Sequence, residues 1–312
     1  MKLVSVIIPT YKGSMQLGRA IKSVCEQTYR NIEVIVIDDN GDGTEDQRKT
    51  ENVINALNIS VPFQYIKHSK NRNGACARNT GISASKGEYI CFLDDDDYFL
   101  PEKIEKCVDV LEKKRTFDGV YTSVGIKKNK GVEIISTAHE EGNLYKFLLL
   151  DECYFGTGSN IFITKRAISK IKGFDESFRR NQDVEFMLRF FRCFKILAIP
   201  DILVLKGTNG TYNIPSYKIM KECKKLLRKN FTDEIRSLGA DLIKFDKNEA
   251  ESLYSTALFS KDGRLKMIQR KELEKYRELS FKEKLMFIIA MCNMYKLYVS
   301  IRNKIKLLKK GI

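Results

Sequence analysis

Four consecutive aspartates, Asp94 to Asp97, directly follow an apolar run, Glu88–Leu93. The run is short, rich in aromatic and branched residues, and preceded by a glycine, which is typical of a buried strand. Four like charges at a strand end repel one another, and a bound cation relieves that repulsion. Carboxylate oxygens favour Mg²⁺ or Mn²⁺ over Zn²⁺. The sequence therefore predicts a divalent-cation site, with a solvated acidic turn that caps the next helix as the alternative.

Polar clusters also follow two earlier apolar runs, Pro9–Tyr11 after the first and Asp38–Asn40 after the second. Ligands of mainly parallel α/β sheets bind at the carboxyl ends of the strands, so we expect these clusters and the aspartates to share one crevice. Asp39 can accept a hydrogen bond from the imide N–H of uracil, and Tyr11 can stack on the base. Each cluster alone could be turn chemistry, since Asp and Asn before Gly are common in turns.

No glycine-rich phosphate loop of the GxGxxG or GxxxxGK[ST] kind follows the first apolar run. This disfavours a pyrophosphate cradled by backbone amides and leaves a carboxylate-bound divalent ion as the way to hold a diphosphate. A sugar nucleotidyltransferase also combines an α/β fold with acidic metal ligands. It would carry a glycine-rich, basic signature, of which Tyr11-Lys12-Gly13-Ser14 is a poor version, and it stays an alternative.

The elements that must position these residues alternate between strand and helix, which predicts a mainly parallel sheet covered by helices on both faces. The predicted strands are Leu3–Ile8, Ile32–Ile37, Phe63–Ile66 and Tyr89–Leu93, and the predicted helices are Met15–Glu26, Ala75–Ser85 and Pro101–Lys113. The pattern is mixed from Asp118 to Pro215, and beyond it strand signals give way to lysine-rich helical segments. We therefore predict an α/β domain over residues 1–215 and a helical, basic region over residues 216–312.

Composition narrows the class of protein. The chain has a formal net charge of +15, and residues 216–312 hold 24 Lys and Arg against 12 Asp and Glu. A nucleic-acid-binding protein would surround a groove with its basic residues, so no nucleic-acid partner is expected, whereas a basic C-terminal region suits an anionic surface.

The eight cysteines form no CxxC pair, which favours free thiols in a reducing cytoplasm. His68 and His139 have no second ligand at metal spacing, and we expect both to be surface or loop residues.

Four segments of the chain, in this order, resemble the successive motifs of family 2 glycosyltransferases: Ser5–Tyr11, Ile35–Asn40, Asn73–Gly81 and Gly87–Asp97. The resemblance covers residues 1–215 and implies a GT-A fold, a single Rossmann-type domain with a mainly parallel central sheet. It implies an inverting enzyme that uses a nucleotide-sugar, with UDP as the expected nucleotide. The implied acceptor is a glycan or a lipid-linked saccharide in surface polysaccharide synthesis. A catalytically silent scaffold with this fold is an alternative.

The resemblance also implies roles for residues of the donor site. Tyr11 and its two predecessors would line the base and ribose, and Asp39 would bond the base. Arg78 would lie near the phosphates or in a structural ion pair. Asp96 would be the last carboxylate of the DxD motif and ligate Mg²⁺ or Mn²⁺, while Asp97 would serve as a helix cap. The donor-binding residues implied in this way are Pro9, Thr10, Tyr11, Asp38, Asp39, Arg78, Asp94 and Asp95.

The catalytic candidate comes from the segment Asn181–Arg189, which resembles the family segment that usually reads Glu-Asp, with Asp as the base. Here Gln182 replaces the Glu, and Asp183 keeps the position of the base. The apolar spacing of the segment predicts a helix with Asp183 in its first turn, where the macrodipole favours an anion. The alternative is that Asp183 only caps the helix. For the segment Gly156–Asn160, the resemblance implies a loop on the acceptor side of the site. The alternative is a tight turn without such a role.

The C-terminal sequence ends in an apolar run, Leu285–Ile301, followed by Arg302–Lys310, which contains no acidic residue. The run is shorter than the ~20 residues that a membrane-spanning helix needs, and it contains a lysine. It predicts a monotopic helix that lies in the inner leaflet, so that the protein would be peripheral on the cytoplasmic face of the membrane. The alternative is a core helix docked on the catalytic domain, with a solvated basic tail.

Overall fold

The structure is a computed structural model that describes residues 1–128, 131–153, 155–207, 215–295 and 297–299. The chain divides into two compact units. The N-terminal unit consists of Met1–Leu148 and Cys153–Thr211, and the C-terminal unit consists of Leu149–Glu152 and Tyr212–Ile312.

A single mixed sheet of nine strands forms the N-terminal unit. The strands are β1 (Val4–Thr10), β2 (Ile32–Asp38), β3 (Phe63–Lys67), β4 (Tyr89–Phe92), β5 (Tyr98–Phe99), β6 (Gly119–Lys128), β7 (Gly131–Ser136), β8 (Phe162–Thr164) and β9 (Ile196–Lys206). The spatial order is β3-β2-β1-β4-β8-β6-β9-β5, with β7 paired to β6. The strands β3, β2, β1 and β4 are parallel to one another, and β6 is parallel to β9. The strands β5, β7 and β8 pair in antiparallel fashion.

The helices in chain order are α1 (Ser14–Cys25), α2 (Glu45–Asn55), α3 (Gly74–Ala84), α4 (Lys103–Lys113), α5 (Tyr145–Leu149), α6 (Lys165–Ile171), α7 (Gln182–Phe191), α8 (Tyr217–Asn230), α9 (Thr232–Arg236), α10 (Leu242–Ala257), α11 (Gly263–Glu274) and α12 (Phe281–Met291). The α/β class with a mainly parallel sheet is confirmed. The antiparallel strands β7 and β8 come from the region where the sequence pattern is mixed, and the antiparallel strand β5 has only two residues. Helix α2 carries no apolar period, because two of its three buried residues, Gln47 and Thr50, are polar, and it is absent from the predicted elements.

The register of the parallel strands brings the polar clusters to one edge of the sheet. Thr10 lies opposite Asp38 in the pairing of β1 with β2, and Ile7 lies opposite Phe92 in the pairing of β1 with β4. The residues that follow β1, β2 and β4 therefore emerge side by side at the carboxyl edge, as the switch-point rule predicts.

An aromatic cluster fixes α7 to the sheet beside this edge. The rings of Phe174 and Phe186 stack with centroids 4.2 Å apart, and Phe92 meets Phe174 edge to face at 5.1 Å. Phe92 ends β4 two residues before the aspartates, and Phe186 lies one turn beyond Asp183. Aromatic rings prefer stacked or edge-to-face arrangements, so the contacts among these rings fix the position of the start of α7 relative to the aspartates.

The C-terminal unit is helical and has its own core. Apolar side chains from α10, α11 and α12 form this core, including Tyr254, Leu258, Leu273, Phe287 and Ala290. Within the described residues, no helix combines the length and the apolar character needed to cross a lipid bilayer. The predicted apolar run Leu285–Ile301 lies partly, and the basic tail Arg302–Lys310 wholly, outside the described residues.

Two helical glycines give a matched test of how tightly the N-terminal unit is packed. A Cβ on Gly81 of α3 would lie 2.3 Å from Cγ2 of Ile7, whereas a Cβ on Gly18 of α1 would lie 3.4 Å from Cγ1 of Val53. We expect Gly81→Ala to lower the free energy of unfolding by about 1–3 kcal/mol through overpacking. We expect Gly18→Ala to raise it by about 0.5–1 kcal/mol, because Gly is a poor helix former. Chemical denaturation measures both, and equal effects of the two changes would contradict the packing described.

Candidate active site

Asp97 is fully buried and anchors the aspartate loop. Its Oδ2 accepts hydrogen bonds from Oγ1 of Thr157 at 2.6 Å and Oγ of Ser159 at 2.7 Å, and its Oδ1 accepts one from the amide of Gly207 at 3.1 Å. Burial raises the pKa of Asp97 to about 6, and the charges of Asp94 and Asp96 add to that effect. Asp97 does not cap α4, whose N-cap is Glu102. Its role in the structure is to hold the loop.

The segment Gly156–Asn160 is the other half of this anchor. Thr157 caps a short 3-10 turn, and Oγ of Ser159 also accepts a hydrogen bond from the amide of Asp94 at 2.9 Å. Asn160 in turn fixes the segment to β6, because its Oδ1 accepts a hydrogen bond from the amide of Thr122 at 2.9 Å. The segment therefore supports the aspartates, a role that its small-residue sequence did not indicate. An acceptor-side role for it stays a prediction.

Asp95 joins the ends of β1 and β4. Its Oδ2 accepts a hydrogen bond from Oγ1 of Thr10 at 2.6 Å, and the carboxylate also accepts one from the amide of Tyr11. A Cβ on Gly13 would lie 1.8 Å from the same oxygen, so only glycine leaves room for this arrangement. Burial raises the pKa of Asp95 to about 6. Thr10 and Asp95 are thus held together at the predicted donor site.

Asp96 is the aspartate of this run whose carboxylate has no side-chain partner among the described residues. Burial raises its pKa to about 6, and the like charges of Asp94 and Asp95 contribute further, while the ammonium of Lys206 lowers it. Arg19 donates to the backbone oxygen of Asp96 at 2.7 Å, and the carboxylate accepts a hydrogen bond from the backbone amide of Asp96 itself. An unpaired, partly buried anion beside two like charges is a suitable ligand for a cation.

A cation at Asp96 would need further ligands from a bound molecule. In the part of the chain that the structure describes, no group of three His, Cys, Asp or Glu side chains could hold a metal ion. The donor set here therefore fits an ion anchored by one carboxylate and completed by ligand oxygens, and it does not fit a cage built from protein alone.

Arg78 connects the aspartates to α7. Its Nη2 donates to Oδ1 of Asp94 at 2.6 Å, and its Nη1 donates to Oε1 of Gln182 at 3.0 Å. The guanidinium carbon lies 5.5 Å from the centroid of the Phe174 ring, and only 14% of the side chain is exposed. Of the two positions that the resemblance left open for Arg78, the structure shows the ion pair. One guanidinium thus links the end of β4 with the first residue of α7.

Asp183 lies in the first turn of α7 and is half-buried. The N-cap is Asn181, which adopts a left-handed conformation and makes no capping hydrogen bond through its side chain. Oδ1 of Asp183 accepts a hydrogen bond from the amide of Val184 at 3.0 Å, and Oδ2 has no partner among the described residues. The other acid of this turn, Glu185, is buried and paired with Arg189. Asp183 is therefore the acid of this turn with a carboxylate oxygen that no described residue contacts.

Asp39 is buried and organises the loop that leads into α3. Its carboxylate makes four hydrogen bonds, with Nδ1 of His68 at 2.7 Å, Nδ2 of Asn71 at 2.9 Å, and the amides of Arg72 and Asn73 at 2.8 and 3.0 Å. A carboxylate has about four acceptor positions, so a nucleotide base would share or replace one of these donors. The role seen in the structure is loop ordering, and base recognition by Asp39 stays a prediction.

His68 lies in the loop that follows β3, one of the two predicted positions, but it is buried there. Its side chain is 6% exposed and lies between Asp39 and Thr80, with Nε2 2.9 Å from Oγ1 of Thr80. The buried carboxylate of Asp39 requires hydrogen-bond partners, and the imidazole of His68 supplies one of them. His139 is exposed, as predicted.

The ends of β1 and β2 supply the remaining predicted donor residues. Pro9 is half-buried, and the ring of Tyr11 is 50% exposed at the edge of the sheet, where an aromatic face is available for stacking. Asp38 is buried and accepts hydrogen bonds from the hydroxyl of Tyr65 at 2.6 Å and the amide of Asn40 at 2.9 Å. Asp38 therefore contributes to the shape of the site through its partners.

The structure pairs Thr10 with Asp95 and Arg78 with Asp94, and Arg78 also contacts Gln182, the residue before Asp183. Sequence reasoning did not find the supporting residues Arg19, Thr157, Ser159 and Lys206. Lys206 ends the long strand β9, and Arg19 lies on α1, so neither is near the aspartates in sequence. Of the four, Thr157 and Ser159 lie in the segment Gly156–Asn160, for which the sequence predicted an acceptor-side loop or a tight turn and not this supporting role.

Comparison with known proteins gives the family. A sequence model described as "Glycosyl transferase family 2" matches residues 5–172. An uncharacterized glycosyltransferase of Haemophilus influenzae is 29% identical over 191 residues, which are 61% of this chain and 62% of that protein. The poly(ribitol-phosphate) beta-N-acetylglucosaminyltransferase TarP of Staphylococcus aureus is 32% identical over 195 residues, which are 61% of this chain and 58% of TarP. The chain thus spans less than two thirds of the length of each relative.

Solved structures share the fold. The S. aureus TarS fragment 1–349 in complex with UDP-GlcNAc superimposes with a TM-score of 0.57 at 16% identity, over 88% of this chain and 89% of that one. The mannosyltransferase PcManGT from Pyrobaculum calidifontis, in complex with GDP-Man and Mn²⁺, superimposes with a TM-score of 0.56 at 15% identity, over 100% of this chain and 88% of that one. At these identities the likeness establishes the fold alone.

The different environments of Asp96 and Asp97 predict opposite effects of the same substitution. In metal-free protein at pH 7, Asp96→Asn removes an unpaired charge beside two like charges, so we expect the free energy of unfolding to rise by up to about 1 kcal/mol. Asp97→Asn removes an acceptor from a buried network and places an amide against its donors, so we expect a loss of about 1–3 kcal/mol. Denaturation in EDTA measures both. A destabilised Asp96→Asn variant would contradict the assignment of an unpaired carboxylate.

Proposed function

The chain belongs to glycosyl transferase family 2, and from that premise we propose that it transfers a sugar from a nucleotide-sugar to a glycan or lipid-linked saccharide. UDP is the proposed nucleotide, supported by the fold shared with TarS, which was solved with UDP-GlcNAc. A place in surface polysaccharide synthesis is supported by the likeness to TarP, named for its poly(ribitol-phosphate) acceptor. The observation that carries the proposal is the Arg78 contact that ties the aspartate run to the start of α7.

The donor would bind at the edge of the sheet where β1, β2 and β4 end. Tyr11 would stack on the base through its half-exposed ring. The backbone around it and the carboxylate of Asp39 would shape the base and ribose pocket. The other residues proposed to contact or support the donor are Pro9, Thr10, Asp38, Arg78, Asp94 and Asp95.

Asp96 would hold Mn²⁺ or Mg²⁺, a proposal supported by its carboxylate, which has no side-chain partner among the described residues, and by the Mn²⁺ in the related mannosyltransferase structure. When bound, such an ion supplies positive charge that stabilises a departing nucleoside diphosphate. Lys206, whose charge acts on Asp96, would add to that positive potential. Arg19 would keep the backbone of Asp96 in place through its hydrogen bond to the carbonyl oxygen.

Asp183 would act as the general base. A carboxylate at this place would take the proton of the acceptor hydroxyl as its oxygen attacks the anomeric carbon. Attack from the face opposite the leaving nucleotide would invert the configuration of the sugar. The free Oδ2 of Asp183 supports the role, and the bond from Arg78 to Gln182 would keep the first turn of α7 in register with the donor.

We further propose that the protein works in the cytoplasm, peripheral on the inner face of the membrane. All eight cysteines are free, as is usual in a reducing compartment. The positive charge of residues 216–312 suits the anionic inner leaflet, where a lipid-linked acceptor would be found.

Nucleotide release from UDP-, GDP- and dTDP-sugars, with Mn²⁺ and a membrane extract as acceptor source, tests the reaction. We expect selective turnover of one donor. We expect Asp183→Asn to lower turnover by about 10²–10⁴-fold with donor binding retained, because a positioned base contributes that much. We expect Asp96→Ala to abolish the dependence of turnover on Mn²⁺. The matched control is Asp233→Asn, since that carboxylate is 95% exposed on α9.

Two results would contradict the proposal. Donor binding without turnover in any extract would favour a catalytically silent scaffold. Formation of a nucleotide-sugar from a nucleoside triphosphate and a sugar phosphate would favour a nucleotidyltransferase. Equal activity of wild type and Asp183→Asn would remove Asp183 from the mechanism and leave the transferase assignment in place.

A further inference from the structure

Helix α12 is apolar on both of its faces. Its inner face buries Phe287 and Ala290 in the core of the C-terminal unit. Its outer face carries Phe281, Leu285 and Ile288, which are 84%, 49% and 59% exposed and lie on one stripe at i, i+4 and i+7. A surface helix of a soluble protein usually has a polar outer face. The outer side of α12 therefore suits an apolar environment better than water.

Helix α11 packs against α12 and also exposes apolar side chains. The two helices pack side by side, because Nζ of Lys266 donates to the carbonyl oxygen of Ala290 and the guanidinium of Arg270 lies 4.9 Å from the Phe287 ring. On the exposed side of α11, Met267 and Ile268 are 48% and 54% exposed. We name the combined surface the α11–α12 face, formed by Met267, Ile268, Phe281, Leu285, Ile288 and Met291.

The charges around the α11–α12 face are mainly positive, because residues 261–284 hold nine Lys and Arg against five Asp and Glu. Of the five acids, Asp262 caps α11 and Glu278 is exposed between the two helices. Three acids on these helices are already paired with neighbouring cations: Glu272 with Lys275, Glu274 with Arg270, and Glu283 with Arg277. Within the described residues Lys271, Lys282 and Lys284 are exposed and have no acidic partner. Further along the chain, residues 302–310 add five Lys and Arg and no acid. Among the described residues, the α11–α12 face is thus accompanied by a cationic rim of Lys271, Lys282 and Lys284.

We propose that the α11–α12 face docks the protein on a bilayer of anionic phospholipid. The apolar stripe would lie at the boundary between headgroups and acyl chains, and the lysines would extend to the lipid phosphates. A second copy of the chain is disfavoured as the occupant, because two such cationic rims would repel. The inference rests on the proposed peripheral location, to which it adds the surface that docks and the lipid charge that it requires.

Co-sedimentation of the full chain with vesicles tests the proposal. We expect binding to phosphatidylcholine vesicles that contain 25% phosphatidylglycerol, and at least tenfold weaker binding to phosphatidylcholine alone. We expect the double variant Leu285→Gln/Ile288→Gln to bind the anionic vesicles at least tenfold more weakly than wild type. The matched control is Val132→Gln/Ile134→Gln, which removes two apolar side chains that are 44% and 56% exposed on β7 and leaves binding unchanged.

Any of three results would overturn the proposal. These are equal binding to both kinds of vesicle, full binding by Leu285→Gln/Ile288→Gln, and a concentration-dependent dimer, seen by light scattering, that the same variant abolishes. Circular dichroism shows whether the variant is folded, and Lys282→Glu/Lys284→Glu, which leaves the apolar stripe intact, should weaken binding to anionic vesicles alone. Donor binding measured in solution without vesicles reports on the transferase proposal separately, so that failure of one proposal is distinguishable from failure of the other.

Discussion

The two hydrogen bonds of the Arg78 guanidinium are the contact on which the rest of the site depends. One reaches Asp94 at the end of β4 and the other reaches Gln182 at the start of α7. A charge-assisted bond in a mostly buried setting is stronger than an exposed one, and loss of the cation would leave Asp94 unpaired beside two like charges. The Phe174 ring beneath the guanidinium keeps it in place. One residue therefore positions both the aspartate run, where the donor is proposed to bind, and the first turn of α7, which carries the proposed base.

The four aspartates show how a fold tolerates charge that its function needs. Hydrogen bonds and an ion pair from the protein stabilise Asp94, Asp95 and Asp97, and the carboxylate of Asp96 has no side-chain partner among the described residues. The burial that raises the pKa of Asp96 works against stability in the absence of a cation. Proteins often keep such a local conflict at a functional site and compensate for it elsewhere. Here the compensation comes from the Gly156–Asn160 segment, which braces the loop.

The sequence predicted the parallel half of the sheet and the position of the aspartates at its carboxyl edge. Both could be predicted because an apolar run that ends in a polar cluster is visible in the local sequence. Helix α7 was predicted for the same reason. The burial of His68 was not predictable, since its partner Asp39 lies 29 residues away and no spacing rule connects the two. Lys206 is likewise brought to the site only by the pairing of β9. Contacts between residues that are distant in sequence determine which side chains support a site. Such contacts produce no periodic pattern in the sequence.

A double-mutant cycle on acceptor-dependent turnover tests most directly whether Arg78 links the two halves of the site. Gln182→Ala and Arg78→Met are made singly and together, and kcat/KM is measured for each. The effects of substitutions at two residues that share an interaction are non-additive. Gln182→Ala should therefore lower kcat/KM in the wild-type background and have no further effect once Arg78 is replaced. This corresponds to a coupling free energy of about 0.5 kcal/mol or more. Equal losses from Gln182→Ala in both backgrounds would show that the contact does not connect the donor side with the base.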